Sequence, residues 1–117
     1  MLDYESDRVT YIAEASPRSE RTAGLIKVGS SRKPENRVRS LGMCLLGTTV
    51  ITEAVIRRLF SPFAVPESEL RSRNLEHFRE WFYDSPEIRE FVQWVCAVHP
   101  VRPERTSGSL TVLRGRG

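Results

Sequence analysis

The spacing of apolar and polar residues along this chain predicts a short series of mixed strands and helices. Val9 to Ala15 is β-branched and aromatic and predicts a strand. Ser16-Pro17-Arg18-Ser19-Glu20-Arg21 is a polar loop with a turn-forming proline. Leu25 to Ser30 predicts a second strand, so the two form a hairpin with a long tip. Ser31 to Leu41 predicts a short helix. Pro34 suits its first turn, Glu35 suits the positive end of its dipole, Val38 and Leu41 give an apolar face, and Gly42 closes it. Cys44 to Ile51 is the third strand. Thr52 then stands as N-cap to a helix over Glu53 to Ser61, with Ile56, Leu59 and Phe60 at helical spacing and Pro62 after it. Phe63 to Asn74 fits either a helical turn starting at Pro66 or a loop. Trp81-Phe82-Tyr83 is too apolar for an exposed loop and is expected to pack on the core. Ser85-Pro86-Glu87 supplies a capping hydroxyl, a proline at the first helical position and a first-turn carboxylate. Ile88, Phe91, Val92 and Val95 continue that helix at i, i+3, i+4 and i+7.

This order predicts the α/β (α+β) class: a small three-stranded sheet flanked by helices. The 117 residues suit one compact domain that needs no disulfide or metal staple. The expected organisation is a flexible N-terminus over residues 1–8, a domain over 9–98, and a basic flexible tail over 99–117. Leu110 to Leu113 is a candidate edge strand within that tail. Cys44 and Cys96, far apart in apolar surroundings, read as reduced core residues. His77 and His99 have no cysteine or histidine at ligand spacing, so no zinc site is expected. The first residues, Met1-Leu2-Asp3-Tyr4-Glu5, lack the apolar core of a signal peptide. No apolar run reaches membrane-spanning length. A soluble, cytoplasmic protein without membrane contact is the expectation.

The formal charge is only +3, but arginine outnumbers lysine, and Arg102, Arg105, Arg114 and Arg116 crowd the last stretch. Guanidinium groups offer a two-pronged fork to phosphate. A solvated basic surface without a partner has the same composition. More specific is the set Tyr11, Lys27, Arg37 and Glu53, which falls on consecutive elements of the small α/β unit. Together they suit a phosphodiester and a metal ion.

These residues resemble the GIY-YIG endonuclease superfamily, in particular its phage-type DNA-binding branch. Thr10-Tyr11-Ile12 matches the tyrosine strand, and Ile26-Lys27-Val28-Gly29 the second strand motif. Lys33-Pro34-Glu35-Asn36-Arg37 matches the arginine helix, and Glu53 to Phe60 the helix of form E-x-x-L-H-x-x-F. Glu80-Trp81-Phe82 matches a terminal EWF triplet. The resemblance spans about residues 9–96. It implies a DNA-acting endonuclease that hydrolyses phosphodiester bonds with Mg²⁺ (or Mn²⁺), with DNA as partner and no small-molecule cofactor. Target choice would then come from a second copy or a partner protein.

Metal-assisted hydrolysis needs a carboxylate for a hard cation, a proton acceptor, and cationic groups for phosphorus charge. Glu53 is the candidate metal ligand and Tyr11 the candidate general base, which near neutral pH needs a cation beside it. Arg37 would stabilise phosphate charge. Lys27 would either lower the Tyr11 pKa or touch a phosphate. Glu80 is placed to orient a neighbouring cation. Arg32, Lys33, Arg57 and Arg58 are candidate nucleic-acid contacts. Each position also has a plainer reading: Glu53 favours a helix start and pairs with Arg57, Tyr11 packs in a strand, and Arg37 is solvated. The chain departs from the family pattern at four points, one being the short link from the third strand to the Glu53 helix, which lacks the usual Gly-Asp turn. Arg57 stands where a histidine is usual, Lys27 where a tyrosine is usual, and Val9-Thr10-Tyr11 lacks the first glycine. Arg57 adds phosphate affinity but removes a proton-transfer group. Two alternatives therefore stand beside the nuclease: a DNA-binding module of the same fold without catalysis, and a protein-interaction or regulatory domain.

Overall fold

The computed structural model describes residues 8–101. The expectations for the N-terminal segment, the arginine-rich tail and a strand at Leu110 to Leu113 lie outside the described residues. The elements are β1 (Val9–Ala15), β2 (Leu25–Ser31), α1 (Pro34–Ser40), β3 (Met43–Thr49), α2 (Glu53–Leu59), α3 (Glu67–Ser72), β4 (Trp81–Tyr83) and α4 (Pro86–Val98), with single 3₁₀ turns at Ser61–Phe63 and Phe78–Glu80. The fold is α+β, with one sheet ordered β3-β1-β2-β4 in which every pairing is antiparallel.

The sheet has four strands where the sequence predicts three. The fourth is the aromatic triplet, which pairs Leu25 with Tyr83, Ile26 with Phe82 and Lys27 with Trp81. A strand of three residues is too short to show a two-residue period, so its sequence gives only apolarity. Phe63 to Asn74 contains the short helix α3, and Leu70 is its buried anchor.

Side chains alternate across a strand, and here both faces are covered. One face carries Tyr11, Ala13, Leu25 and Trp81 against Val38 of α1 and Leu70 of α3. The other carries Ile12, Ile26, Val28 and Phe82 against Ile56 and Phe60 of the α2 end and Ile88, Val92 and Val95 of α4. Burying each such side chain contributes about 1.5–3 kcal/mol. Phe60 packs edge-on against both Phe82 and Phe91, tying α2 to the sheet and to α4. Gly47 lets α4 come close to β3, because a Cβ there would run into the Cys96 sulfur.

Local capping agrees with the sequence in one helix and not in another. The Ser85 hydroxyl accepts a hydrogen bond from the Ile88 amide at 3.1 Å. Thr52 holds the N-cap position of α2 but its side chain makes no cap bond. Leu59, expected on the apolar face of α2, is 53 % exposed. With only two turns, Ile56 and Phe60 alone reach the sheet. Both cysteines are free, but Cys44 is exposed rather than buried, on an outward position of β3, while Cys96 is half-buried. Trp94 of α4 is also well out in solvent, at 53 %. No helix among the described residues is long and apolar enough to cross a membrane.

Candidate functional site

The site is built on the first of those two faces. Tyr11 stands opposite Gly29 across the β1–β2 ladder. The hydroxyl end of its phenol lies against that glycine, and any Cβ at position 29 would overlap the Tyr11 hydroxyl. Glycine is therefore required there for close approach, not for a turn. Two residues along each strand, Lys27 stands opposite Ala13 and shares the same face.

Helix α1 brings Arg37 to hydrogen-bonding reach of the Tyr11 hydroxyl. Pro34 at the helix start and buried Val38 fix α1 against the sheet, and this leaves Arg37 exposed on its outer side. Glu53, in the first turn of α2, and Glu80, at the start of β4, are both near enough for their charge to act on the same phenol. Of the expected trio, Arg37 thus stands beside Tyr11, and Glu53 and Glu80 lie within electrostatic range of it. Burial is the main influence on Tyr11 and pushes its pKa above the ordinary phenol value. The Arg37 guanidinium pulls it back down, while the Glu80 and Glu53 carboxylates push it further up. With only 2 % of its surface exposed, Tyr11 holds its proton at neutral pH.

Lys27 has a different situation from the one its sequence position suggests. Its side chain is 1 % exposed, its ammonium is bound to Glu80, and it lies 5.2 Å from the centre of the Trp81 ring. A buried lysine without a counter-charge would cost several kcal/mol, so this pair and the indole face keep it in the core. Its charge is spent on Glu80, and Arg37 is the cation that acts on Tyr11. Glu80 does orient a neighbouring cation, as its sequence context suggests, and that cation is Lys27.

Glu53 is partly exposed and faces Arg57 at 3.8 Å, a loose pairing within one helical turn. Arg57 also lines a cleft of about 510 Å³ together with Glu67, His77, Phe78, Arg79 and Glu80. Arg58, one residue on, is exposed and does not line this cleft. Arg32 and Lys33 are exposed in the turn before α1. His77 and Arg79 were not singled out from sequence. The available signal is the run His77-Phe78-Arg79-Glu80, where basic and aromatic residues interleave just before the EWF triplet. Among the described residues, no group of three or more His, Cys, Asp or Glu side chains is placed to share a metal ion. Glu53, the expected metal ligand, belongs to no such group, and its pairing with Arg57 is loose.

A second polar cluster lies elsewhere. Arg89 of α4 binds Asp84 at 2.7 Å and Glu14 of β1 at 2.7 Å, and so fastens the helix to the sheet. The Arg89 guanidinium beside Asp84 holds that carboxyl below its usual range. Both acids are already paired, and the cluster has no part in the site.

Compared with known proteins, the chain matches no family model, no curated protein and no solved structure.

Proposed function

We propose that this chain is a GIY-YIG-like endonuclease that hydrolyses DNA phosphodiester bonds with a divalent metal ion. One observation carries the reading. The Tyr11 phenol of β1 lies within hydrogen-bonding reach of Arg37 of α1 and within electrostatic range of Glu53 of α2, whose partner Arg57 lines a cleft with Arg79. Arg37 is exposed as well as close to the phenol, so its guanidinium is open to a phosphate. Arg57 adds a second guanidinium on the Glu53 side. Glu53 would hold Mg²⁺ (or Mn²⁺), which supplies positive charge that stabilises the transferring phosphoryl oxygens. Tyr11 moves a proton at its hydroxyl oxygen. Arg37 alone does not outweigh burial there, so proton release requires more positive charge at the site than the protein carries by itself.

The test is nicking of supercoiled plasmid with and without Mg²⁺. Metal-dependent nicking that disappears in Glu53→Gln and Tyr11→Phe is the expected outcome. Nicking that survives Glu53→Gln overturns the reading.

A DNA-binding module without hydrolysis is the second reading. It is favoured by one observation: the phenol is covered and stays protonated. It predicts salt-sensitive binding through Arg32, Lys33, Arg57 and Arg58 with no nicking under any metal.

A further inference from the structure

The helices that cover the apolar face of the sheet are not themselves covered. Six large apolar side chains stand exposed among the described residues, and five of them lie on this side. They are Val50 in the turn before α2, Val55 and Leu59 on α2, and Trp94 and Val98 on α4. They form one connected patch. The Val50 amide donates to the His99 carbonyl at 3.1 Å, which sets Val50 against the end of α4. Trp94 contacts the His99 and Phe91 rings, at 5.7 and 5.8 Å between centres. Phe91 in turn packs on Phe60, next to Leu59. A connected apolar surface of this kind marks a contact site, and tryptophan is among the residue types that most often anchor one.

The charges around the patch divide by helix. The exposed positions of α4 include Glu87 and Glu90 and no base, and those of α2 include Arg58 and no acid. None of these three makes an ion pair among the described residues. Glu87, Glu90, Trp94 and Val98 fall at i, i+3, i+7 and i+11, so acidic and apolar groups share one stripe of α4. Arg58 is next to Leu59 and three residues after Val55, so basic and apolar groups share the exposed stripe of α2. Each stripe is the chemical complement of the other, and both lie on the same side of one molecule. Such a surface fits a second copy of itself. One two-fold rotation lays α4 of each copy on α2 of the other and closes, which leaves neither stripe open to a third copy.

We infer that two copies of this chain pair through the outer sides of α2 and α4, with Trp94 as anchor and the acids of α4 against Arg58 of the second copy. The Tyr11 side of each sheet stays uncovered. Glu53 and Arg57 occupy a different stripe of α2 and stay outside the contact. The pairing stands without the hydrolase reading. The patch is small, so the pair is weak, with a dissociation constant on the order of 10 µM. In dilute solution the chain is single and Trp94 is open to solvent.

The experiment is sedimentation equilibrium of the full chain over a concentration series spanning that value, with iodide quenching read on the same samples at constant ionic strength. Mass should double as concentration rises, and the iodide quenching of Trp94 should fall with it. Trp94→Ala should weaken pairing by more than about ten-fold, since a truncated tryptophan counts twice in a symmetric contact. Its circular dichroism spectrum should be unchanged, because the side chain already stands in solvent. Glu90→Arg should also weaken pairing, and adding Arg58→Glu to it should restore the affinity. A single mass at every concentration overturns the inference. So does a pair that survives Trp94→Ala, which places the contact elsewhere. A shielded Trp94 in a chain that stays single also overturns it and gives the patch to another segment of the same molecule. Charge reversal that Arg58→Glu fails to rescue overturns the laying of α4 on α2.

Discussion

The two faces of the sheet come from the same strands, residue by residue, yet they hold different materials. Ile12, Ile26, Val28 and Phe82 face α2 and α4 and carry no titratable group. Their immediate neighbours Tyr11, Lys27 and Trp81 face the other way and bring a phenol and an ammonium into the interior. A one-residue step along β1 or β2 therefore passes from a layer that only stabilises to a layer that also holds charge. Each buried polar group has its partner: Arg37 for the neutral Tyr11 phenol, Glu80 and the Trp81 ring for the Lys27 ammonium. The apolar layer supplies the stability against which that arrangement is held.

The strongest test of this division is Phe82→Ala. It removes an aromatic ring that packs on Phe60 and should lower the free energy of unfolding by about 3–5 kcal/mol, read from urea denaturation. Nicking per folded molecule should be unchanged. Gly29→Ala probes the other face. Its new methyl group strikes the Tyr11 phenol, at a stability cost of about 1–3 kcal/mol. Activity should be lost well beyond that cost, because the displaced phenol leaves Arg37. If instead Phe82→Ala selectively destroys activity and Gly29→Ala spares it, the division of labour between faces is wrong.

Electrostatics on the charged face gives a smaller effect with a definite sign. Glu80→Gln removes a carboxylate that pushes the Tyr11 pKa up, so in the molecules that stay folded without the Lys27 counter-charge the phenol should titrate at lower pH, as followed by ¹³C-tyrosine NMR. Arg37→Met should move it the opposite way. The smallest change is expected away from both faces, at Asp84. Its carboxyl titrates below the unfolded value of about 3.9. The stability it contributes is present above that value and is lost as pH falls through the lower folded value. Asp84→Asn should therefore flatten the acid limb of stability below about pH 4 and leave neutral-pH nicking untouched.

Much of the fold was legible where a period had room to repeat. Val9–Ala15 is a strand over the predicted residues, and Ser85-Pro86-Glu87 marks the α4 start that the Ser85 cap bond holds. Elements with one or two anchors were not legible. β4 has three residues, and α3 has Leu70 as its only buried position. Leu59 matched a helical period but sits on a helix too short to bury it. At the candidate site, the nearness of Arg37 to Tyr11 followed from their placement on β1 and α1. The partner of Lys27 did not follow, because Glu80 lies 53 residues away and reaches it only through the β2–β4 pairing. The left-handed turn at His77 was equally hidden, since no glycine marks it.

The chain's two tryptophans are a built-in pair of optical reporters. Trp81 is 5 % exposed beside an ammonium and next to the cleft, whereas Trp94 stands out on α4. A dissolved iodide ion will darken the second and spare the first. Emission that persists under quencher thus monitors the cleft wall alone, without any attached dye.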